Sequence, residues 1–382
     1  MKKLLLASTI LASYAQMANA ETSVNLYGIV DTAVSFNQIK TTSYGATGNQ
    51  LASYKERSVG VDNGLAGGSY WGLRGSEEIG NGLHAIFTLE GHFNASNGAY
   101  DEAGRIFNRN AFVGFANEAW GQLTLGYQKN IADEFMPNAD PFGTDFGQAG
   151  AGSVFGDSLS SSLEKSVKYL SAESNGFQFG AVFSYDHIKR TVNGVTTREG
   201  NKQLSLGLKY SRDALFLGAV YDTVKEVGGI KSKSWAIGGS YDFNVVKLYG
   251  AFGQQRNGMF GEILSLAATE EINGETIPTA WNRKGYRQSS WLAGLSAPIS
   301  DNGTLLFSYQ GISAKNTQID SPIKASGHIF SFGYTHELSK RTSLYGVASY
   351  GKTTIKNYDG TAFTGKEKIK STLVAIGLRH AF

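Results

Sequence analysis

The last eleven residues of the chain form an alternating pattern that ends on an aromatic carboxylate. In an extended chain one face carries Thr372, Val374, Ile376, Leu378, His380 and Phe382. In a soluble protein a terminal Phe in this position would expose its ring and leave the strand edge unpaired. In a closed membrane barrel the strand pairs on both sides, and the ring lies in the aromatic girdle at the periplasmic interface. The pattern therefore predicts the closing strand of a membrane β-barrel.

The beginning of the chain has the features of a secretory signal peptide. Residues 2–3 are both lysine, residues 4–11 are mostly apolar, and residues 18–20 form a small-x-small cleavage site. No later segment supplies eighteen consecutive apolar residues, which argues against a helical membrane protein. We predict that residues 1–20 are a cleaved signal peptide and that residues 21–382 form a single barrel domain.

Composition and charge narrow the functional classes. The formal net charge is +3, from 35 basic and 32 acidic residues that are interspersed along the chain, which argues against a nucleic-acid partner. An exported chain without cysteine has no disulfides and no thiolate metal sites. We expect no cofactor and no metal. The chain has 19 Tyr and 22 Phe but only 5 Pro, which favours strands over long helices.

Apolar and polar residues alternate with the period of a half-exposed strand in many segments. The clearest segments are 24–36, 83–93, 177–185, 204–210, 215–221, 235–243, 291–299, 305–309, 330–334 and 372–382, and weaker ones are 69–78, 104–116, 122–129, 165–173, 245–255 and 343–356. The count is about sixteen, which is that of a single-chain channel barrel. The sequence thus predicts an all-β fold, a 16-stranded antiparallel transmembrane β-barrel.

The connections between these segments alternate in length. Short polar turns are expected at 78–82, 117–121, 211–213, 242–244 and 338–341. Long Gly, Ser, Asn and Thr-rich connections are expected at 38–68, 94–104, 130–163, 188–201, 257–286 and 315–326. Short turns on the periplasmic side and long loops outside are typical of outer-membrane barrels.

Several segments resemble one protein family. The residues that carry the resemblance are 23–28, 71–78, 82–87, 107–114, 121–126 and 377–382. They are similar to the trimeric general diffusion porins of the neisserial and betaproteobacterial branch. The resemblance implies passive diffusion of small hydrophilic solutes and ions through a homotrimer, in which each barrel has its own aqueous channel in the outer membrane. We also expect contacts with outer-membrane lipid and lipopolysaccharide, and recognition of Phe382 by the barrel-assembly machinery.

The resemblance also implies an inward-folded third loop that narrows the channel. Here that loop is residues 130–162, and its acids are Asp133, Glu134, Asp140, Asp145 and Asp157. In the family, acids on this loop face basic residues on the barrel wall. The sequence thus supplies a candidate constriction with an acidic side.

Strand alternation selects the candidate wall residues. If Trp71 and Leu73 face lipid, then Arg74 points into the lumen, because a charge that faces hydrocarbon costs about 2–4 kcal/mol at the midplane. The candidates found in this way are Arg74, Glu90, Arg109 and Lys168. Opposed charges across a narrow lumen would sort solutes by charge and dipole. A plainer interpretation is that each arginine pairs with a carboxylate and only holds the loop in place.

The chain departs from the family pattern where relatives often carry a pore arginine. These positions are Tyr70, Tyr127 and Ser162 here. The basic wall is therefore thinner, and the loop acids would make the channel weakly selective or cation-preferring. We predict that Tyr70 and Tyr127 point inward, where their rings would offer a stacking surface to sugars or aromatic solutes.

Three alternatives remain at this point. A substrate-selective channel for a sugar or small organic acid would use the same barrel with a saturable site. An outer-membrane barrel enzyme is disfavoured, because the Ser-x-x-Lys matches at 162–165 and 321–324 lack partner motifs, and His84 and His92 would lie about 26 Å apart on one strand. A soluble, secreted all-β protein would not explain aromatic residues at the strand ends.

Overall fold

The computed structural model describes residues 23–156, 162–186, 188–192, 195–200, 202–225, 231–258, 269–272, 275–278 and 284–382. The predicted signal peptide and Asp157 lie outside these residues. The first strands are β1 (Ser23–Gly45), β2 (Gln50–Asn63), β3 (Ser69–Gly80), β4 (Leu83–Phe93), β5 (Asn110–Asn117), β6 (Gly121–Lys129), β7 (Ser162–Leu170), β8 (Phe177–Tyr185), β9 (Ile188–Val192) and β10 (Val195–Glu199). The remaining strands are β11 (Lys202–Arg212), β12 (Leu215–Lys225), β13 (Lys231–Asp242), β14 (Lys247–Arg256), β15 (Thr269–Ile272), β16 (Glu275–Pro278), β17 (Arg287–Ser300), β18 (Gly303–Asn316), β19 (Ile323–Ser339), β20 (Thr342–Asp359) and β21 (Ala362–Ala381).

One antiparallel sheet of 17 strands closes on itself through the pairing of β1 with β21. The hairpins β9–β10 and β15–β16 are separate from it. Two of its strands, β2 and β3, share one barrel position, because both pair with the same edge of β1. β2 pairs with residues 32–44 of β1, and β3 pairs with residues 23–29. Residues 64–68 separate them. The barrel therefore has sixteen strand positions, and the predicted 16-stranded antiparallel β-barrel is confirmed.

The two faces of the wall differ as the alternation predicts. The outer face carries exposed apolar side chains, among them Val24, Leu26, Val113, Leu125, Leu217, Ile237, Phe330, Phe332, Val374 and Ile376. Residues between them in sequence, such as Ala33, Val220 and Ala375, are buried. Exposed apolar side chains in this number are unfavourable in water but stable in hydrocarbon, so this surface fits lipid. We call the opposite, buried side of the wall the inner face.

Several predicted loops are in fact strands. The stretch 38–68 was expected to be a long connection, but β1 continues to Gly45 and β2 begins at Gln50. The connection predicted at 315–326 is also shorter, since β18 ends at Asn316 and β19 begins at Ile323. Beyond the lipid both faces of a hairpin are wet, so the backbone ladder persists although the apolar alternation is lost. The alternation therefore underestimates strand length at this end of the barrel.

The long connection between β6 and β7 contains short helical turns. They are α1 (Ile131–Phe135), η1 (Pro137–Ala139), η2 (Gly147–Ala149) and α2 (Gly152–Phe155), where η denotes a 3-10 helix. Asn130 caps α1, because its side-chain oxygen accepts a hydrogen bond from the backbone N–H of Asp133 at 2.9 Å. In the described part of the chain, no helix combines the length and the apolar character needed to cross a bilayer.

The end of the chain completes the closure. The backbone N–H of Phe382 donates to the carbonyl of Gly28 at 3.0 Å, and the N–H of Gly28 donates to the carbonyl of Phe382 at 3.2 Å. Gly28 leaves room for the terminal ring, since a Cβ there would lie 2.6 Å from Cζ of Phe382 and 2.6 Å from the carbonyl oxygen of Tyr70. The junction of β1 with the end of the chain, which we call the seam, thus depends on a small residue, Gly28, opposite the Phe382 side chain.

We expect Gly28→Ala to destabilise the barrel, by about 1–3 kcal/mol, because the added methyl overlaps the Phe382 ring and a backbone carbonyl. The measurement is the midpoint of denaturant unfolding in detergent micelles. The matched control is Gly250→Ala on β14, where the nearest atom to the new Cβ is 3.9 Å away. Equal midpoints for the two variants would show that the Gly28–Phe382 contact does not limit closure.

Candidate functional site

The connection from β6 to β7, which we call the third loop, packs against the inner face of the wall. Its helix α1 contacts β8, β11 and β12, and its later turns contact β13, β14 and β17 to β20. Glycines on the wall permit this approach. A Cβ at Gly207 would lie 2.5 Å from Cγ2 of Ile131, and one at Gly238 would lie 2.7 Å from Cβ of Ala139.

Apolar side chains of the loop contribute to two buried clusters. The first contains Ile131, Ala132, Phe135, Met136, Ala139, Ala151, Val154 and Phe155 together with wall residues such as Val182, Val220, Ala236 and Leu292. The second contains Phe142, Phe146 and Ala149 together with Ala33, Leu306, Tyr345, Val347, Leu373 and Ala375. Burial of this size holds a loop in one position, since each fully buried large apolar side chain contributes about 1.5–3 kcal/mol.

Asp140 organises the loop backbone rather than facing solvent. Its carboxylate accepts hydrogen bonds from the backbone N–H groups of Phe142 at 3.0 Å, Thr144 at 3.0 Å and Ala151 at 2.7 Å. The side chain is buried, and this burial raises the pKa of Asp140 to about 6 although the three donors oppose the shift. The carboxylate therefore takes up a proton at a higher pH than an exposed aspartate does.

Two loop acids pair with lysines of the adjacent wall. Asp133 lies 2.7 Å from Nζ of Lys129, and Glu134 forms a close ion pair with Lys168. Lys168 also donates to the carbonyl of Lys129 at 3.1 Å, and its side chain is buried. The sequence pointed to Lys168 and Glu134 separately, and the structure brings them together.

The start of the loop is fastened to two neighbouring strands. The N–H of Ile131 donates to Oγ of Ser205 on β11 at 3.1 Å, and the side-chain amide of Asn130 donates to Asp222 on β12 at 3.3 Å. Asp222 and Ser205 are both buried. Sequence reasoning missed these positions, because a polar inward residue in a strand is ordinary in a channel barrel and carries no signal of a loop contact.

A second polar cluster lies on the inner face of β1, β3 and β4, centred on Glu90. The hydroxyl of Tyr27 donates to Glu90 at 2.7 Å, and the side-chain amide of Asn110 also donates to Glu90 at close range. Nε of Arg109 lies 3.3 Å from Oε2 of Glu90, as an ion pair without an aligned hydrogen bond. Glu90 is buried, so these donors offset the cost of burying its charge.

Two arginines rest on aromatic rings beside this cluster. The guanidinium of Arg109 lies 4.3 Å from the centroid of Tyr70, and that of Arg74 lies 4.8 Å from the centroid of Tyr27. Arg109 also lies 2.9 Å from Nε2 of His92. Since a guanidinium only donates, Nε2 of His92 is the acceptor. Flat rings beneath the arginines fix their position without neutralising their charge.

The predicted site residues thus divide into separate groups. Arg74, Glu90, Arg109 and Tyr70 form one cluster on the inner face, whereas Lys168, Asp133 and Glu134 form another at the loop start. Asp145 is exposed to solvent and makes no ion pair among the described residues. Its carboxylate faces residues 64–68, since a Cβ at Gly67 would lie 3.6 Å away.

Tyr127 was expected to point inward, and the structure places it on the opposite face. Tyr127 pairs with Ala111 across the ladder. Two residues along each strand is the pair Val113 and Leu125, and both of those side chains are exposed on the outer face. The Tyr127 hydroxyl donates to the carbonyl of Asn108 at 3.1 Å. Tyr127 is two residues after Leu125, so the period of two places both on the same face, and the inward prediction followed the family position and not this alternation.

Residues 64–68 also belong to the site, although the sequence predicts that they are part of a long external loop. The N–H of Ala66 donates to Asp31 at 2.7 Å, and the N–H of Leu65 donates to the hydroxyl of Tyr345 at 2.9 Å. Tyr345 in turn donates to Asp31 at 2.8 Å. The carbonyl of Leu65 accepts from the N–H of Phe146 at 2.6 Å, so the insertion holds the third loop from the far wall. In the sequence, only the Gly-rich run between β2 and β3 distinguishes this segment from the neighbouring strands.

These contacts set the charge balance of the inner face. Three of the four described loop acids are engaged, Asp133 and Glu134 by lysines and Asp140 by backbone donors. Arg74 has an aromatic neighbour but no carboxylate within ion-pair distance among the described residues. The arrangement is a polar passage with fixed charges beside a docked loop.

Comparisons with known proteins agree with this architecture. A family model described as Gram-negative porin matches residues 7–356. The chain is 37% identical over 400 residues to an outer membrane porin protein of Bordetella pertussis, and the alignment covers 100% of both chains. The structure of an anion-selective porin from Comamonas acidovorans is similar with a TM-score of 0.62 at 26% identity, covering 95% of this chain and 100% of that one. OmpT of Vibrio cholerae, described as a trimer form, has a TM-score of 0.58 at 13% identity, covering 94% and 99%, and shows the fold alone.

We expect Asp140→Ala to loosen the third loop by at least about 2 kcal/mol, since two buried N–H groups and one half-buried N–H group lose their acceptor. The measurement is hydrogen exchange at the amides of Phe142, Thr144 and Ala151, which should accelerate. Asp140→Asn, which retains one carbonyl acceptor, should give an intermediate effect. Asp301→Ala in the exposed turn between β17 and β18 is the control. Unchanged protection in Asp140→Ala would mean that apolar burial alone docks the loop.

Proposed function

Because the chain belongs to the Gram-negative porin family, we propose that its outer-membrane barrel passes small hydrophilic solutes and ions by passive diffusion through a water-filled lumen. The observation that carries this function is the closed 16-position barrel with an apolar outer face and polar clusters on its inner face. Family and fold point to a channel rather than to an enzyme. Solutes move down their own gradients, so neither catalysis nor a cofactor is needed.

The third loop is the proposed sieve. Its apolar residues pack on the inner face of the wall, its start is fastened by Asn130, and its middle is fastened by the contact between Phe146 and Leu65. A loop held in this way reduces the cross-section of the lumen without closing it. The residues proposed to line the narrow section are Tyr70, Arg74, Glu90, Arg109, Asp145 and Lys168.

The fixed charges favour a weak preference for anions. The loop acids Asp133 and Glu134 are neutralised locally, whereas Arg74 keeps its charge over the Tyr27 ring and Lys209 keeps its charge over the Phe135 ring. The expectation of a weakly selective or cation-preferring channel assumed that the loop acids were unpaired. The similar Comamonas structure is described as anion-selective, which supports the revised sign.

The proposed assembly is a homotrimer in the outer membrane, as implied by the family and by a similar barrel described as a trimer form. Insertion would use the barrel-assembly machinery, which would read the terminal strand and Phe382. The ring and backbone of Phe382 meet Gly28 at the seam, so the same residue would serve recognition and closure.

We expect purified protein in planar bilayers to show ohmic channel steps, with a reversal potential in a KCl gradient that indicates chloride preference. Arg74→Gln should move the reversal potential toward zero because it removes an unpaired lumen cation, and Asp145→Asn should move it further toward chloride. Lys340→Gln, in the turn between β19 and β20, is the control with the same loss of charge. A cation preference in the wild type would refute the proposed sign, and absence of conductance from folded protein would refute the channel.

A substrate-selective channel is the second candidate, favoured by the aromatic rings of Tyr27 and Tyr70 beside the arginines. Such rings bind sugars and aromatic acids by stacking. We expect single-channel current to fall in proportion to the added solute without saturation if the lumen is an open path. Saturable block by one sugar or organic acid, lost in Tyr70→Ala, would establish the selective channel instead. Tyr309→Ala, on the outer face, is the control.

A further inference from the structure

The segment 64–68 interrupts one strand position of the barrel wall, and we call it the insertion. The pairing of β1 with β2 ends at Thr32, opposite Asn63. The pairing of β1 with β3 begins at Ile29, opposite Tyr70. In this gap β1 therefore has two residues, whereas the facing chain has six. The extra backbone does not fit in the plane of the sheet and leaves it, as in a large β-bulge.

The insertion turns toward the inner face and is held there. The N–H of Leu65 donates to Tyr345 and the N–H of Ala66 donates to Asp31, and both acceptors are buried on the inner face. The carbonyl of Leu65 accepts from the N–H of Phe146 in the third loop at 2.6 Å. The side chains of Leu65 and Ala66 pack against the second buried cluster. These contacts fix the insertion between the wall and the third loop.

Gly67 and Gly68 are half-exposed and border open space, which we call the glycine gap. Among the described residues, a Cβ at Gly67 would have one neighbour within 4 Å, Oδ2 of Asp145 at 3.6 Å. A Cβ at Gly68 would likewise have one, Cδ2 of His92 at 3.9 Å. Nε2 of His92 accepts from Arg109 at 2.9 Å. The glycine gap is thus bordered by a loop carboxylate near Gly67 and by a guanidinium held on His92 near Gly68.

The backbone of the insertion favours glycine at both positions. The φ angle is +107° at Gly67 and +68° at Gly68, in the region that glycine adopts without the steric cost of a Cβ. The same two residues leave the glycine gap free of side chains from the insertion. A passage bordered by opposite charges, here Asp145 and Arg109, acts on the charge and dipole of a solute.

We propose that the insertion is a second element of the narrow section of the channel, and that Gly67 and Gly68 set the aperture beside Asp145. The proposal rests on the water-filled channel proposed above, in which the third loop is the sieve. It adds that the sieve is bounded on this side by an interruption of the wall, and that two missing side chains set its width there. The competing role for the insertion is support of the third loop alone, away from the path of the solute.

The test places a single label in the glycine gap after the barrel has folded. The chain has no cysteine, so Gly67→Cys introduces its only thiol. Gly48→Cys is the matched control, because Gly48 is exposed between β1 and β2, has a φ of +86° and has no described atom within 4 Å of its Cβ position. Full-length protein is inserted into planar bilayers in a KCl gradient and then treated with a cationic or an anionic methanethiosulfonate reagent.

We expect either label at residue 67 to lower the single-channel conductance by at least about a fifth, because each label occupies part of the aperture. The cationic label should move the reversal potential further toward chloride, and the anionic label should move it toward potassium. Neither reagent should change the conductance or the reversal potential of the wild type or of Gly48→Cys.

Equal responses of Gly67→Cys and Gly48→Cys would overturn the proposal, and so would a labelled Gly67→Cys with the conductance and reversal potential of the unlabelled channel. A thiol at residue 67 that stays unlabelled, as read by mass spectrometry of the recovered protein, would also overturn it, since a residue at the aperture has to be reachable from water. If Gly67→Cys does not fold, Gly68→Cys replaces it with the same expectation. Absence of conductance from folded wild-type protein would refute the channel itself, and it is seen before any label is added.

Discussion

The structure depends on one requirement, that every backbone N–H and carbonyl within the hydrocarbon has a partner in the protein. Lipid offers no hydrogen bonds, so a sheet in this environment has to close. Closure here is made by β1 with β21 and finishes at the reciprocal bonds between Gly28 and Phe382. The exposed apolar outer face, unstable in water, follows from the same environment.

Closure creates an interior, and the third loop takes part of it. Glycines on the wall, such as Gly207, let the loop backbone come close, and apolar side chains of the loop then become buried. Polar contacts set its path: Asp140 gathers the loop backbone, and the 64–68 insertion holds it from the other side through Phe146. Packing of the loop therefore shapes the interior of the barrel. The charge of the interior comes from the described residues that are not in local ion pairs, such as Arg74 and Asp145.

Local pairing is also where expectations from sequence differ most from the structure. The sequence predicts that Asp133 and Glu134 are unpaired acids of a constriction, yet each forms an ion pair with a lysine. Tyr127 was predicted to point inward from its position in the family pattern, but it has the parity of Leu125 and lies on the outer face. A strand-by-strand pattern does not contain the partner that a loop meets after it folds back.

The sequence by itself determined the fold class, the strand number and the family, because lipid on one face and water on the other impose a period of two on each strand. It also predicted that Arg74 and Glu90 are inward, since charge is excluded from hydrocarbon. The tertiary structure alone decided that β2 and β3 share one position and that Asp140 is a buried anchor. Register between strands places residues side by side that are far apart in sequence, and no local pattern encodes it.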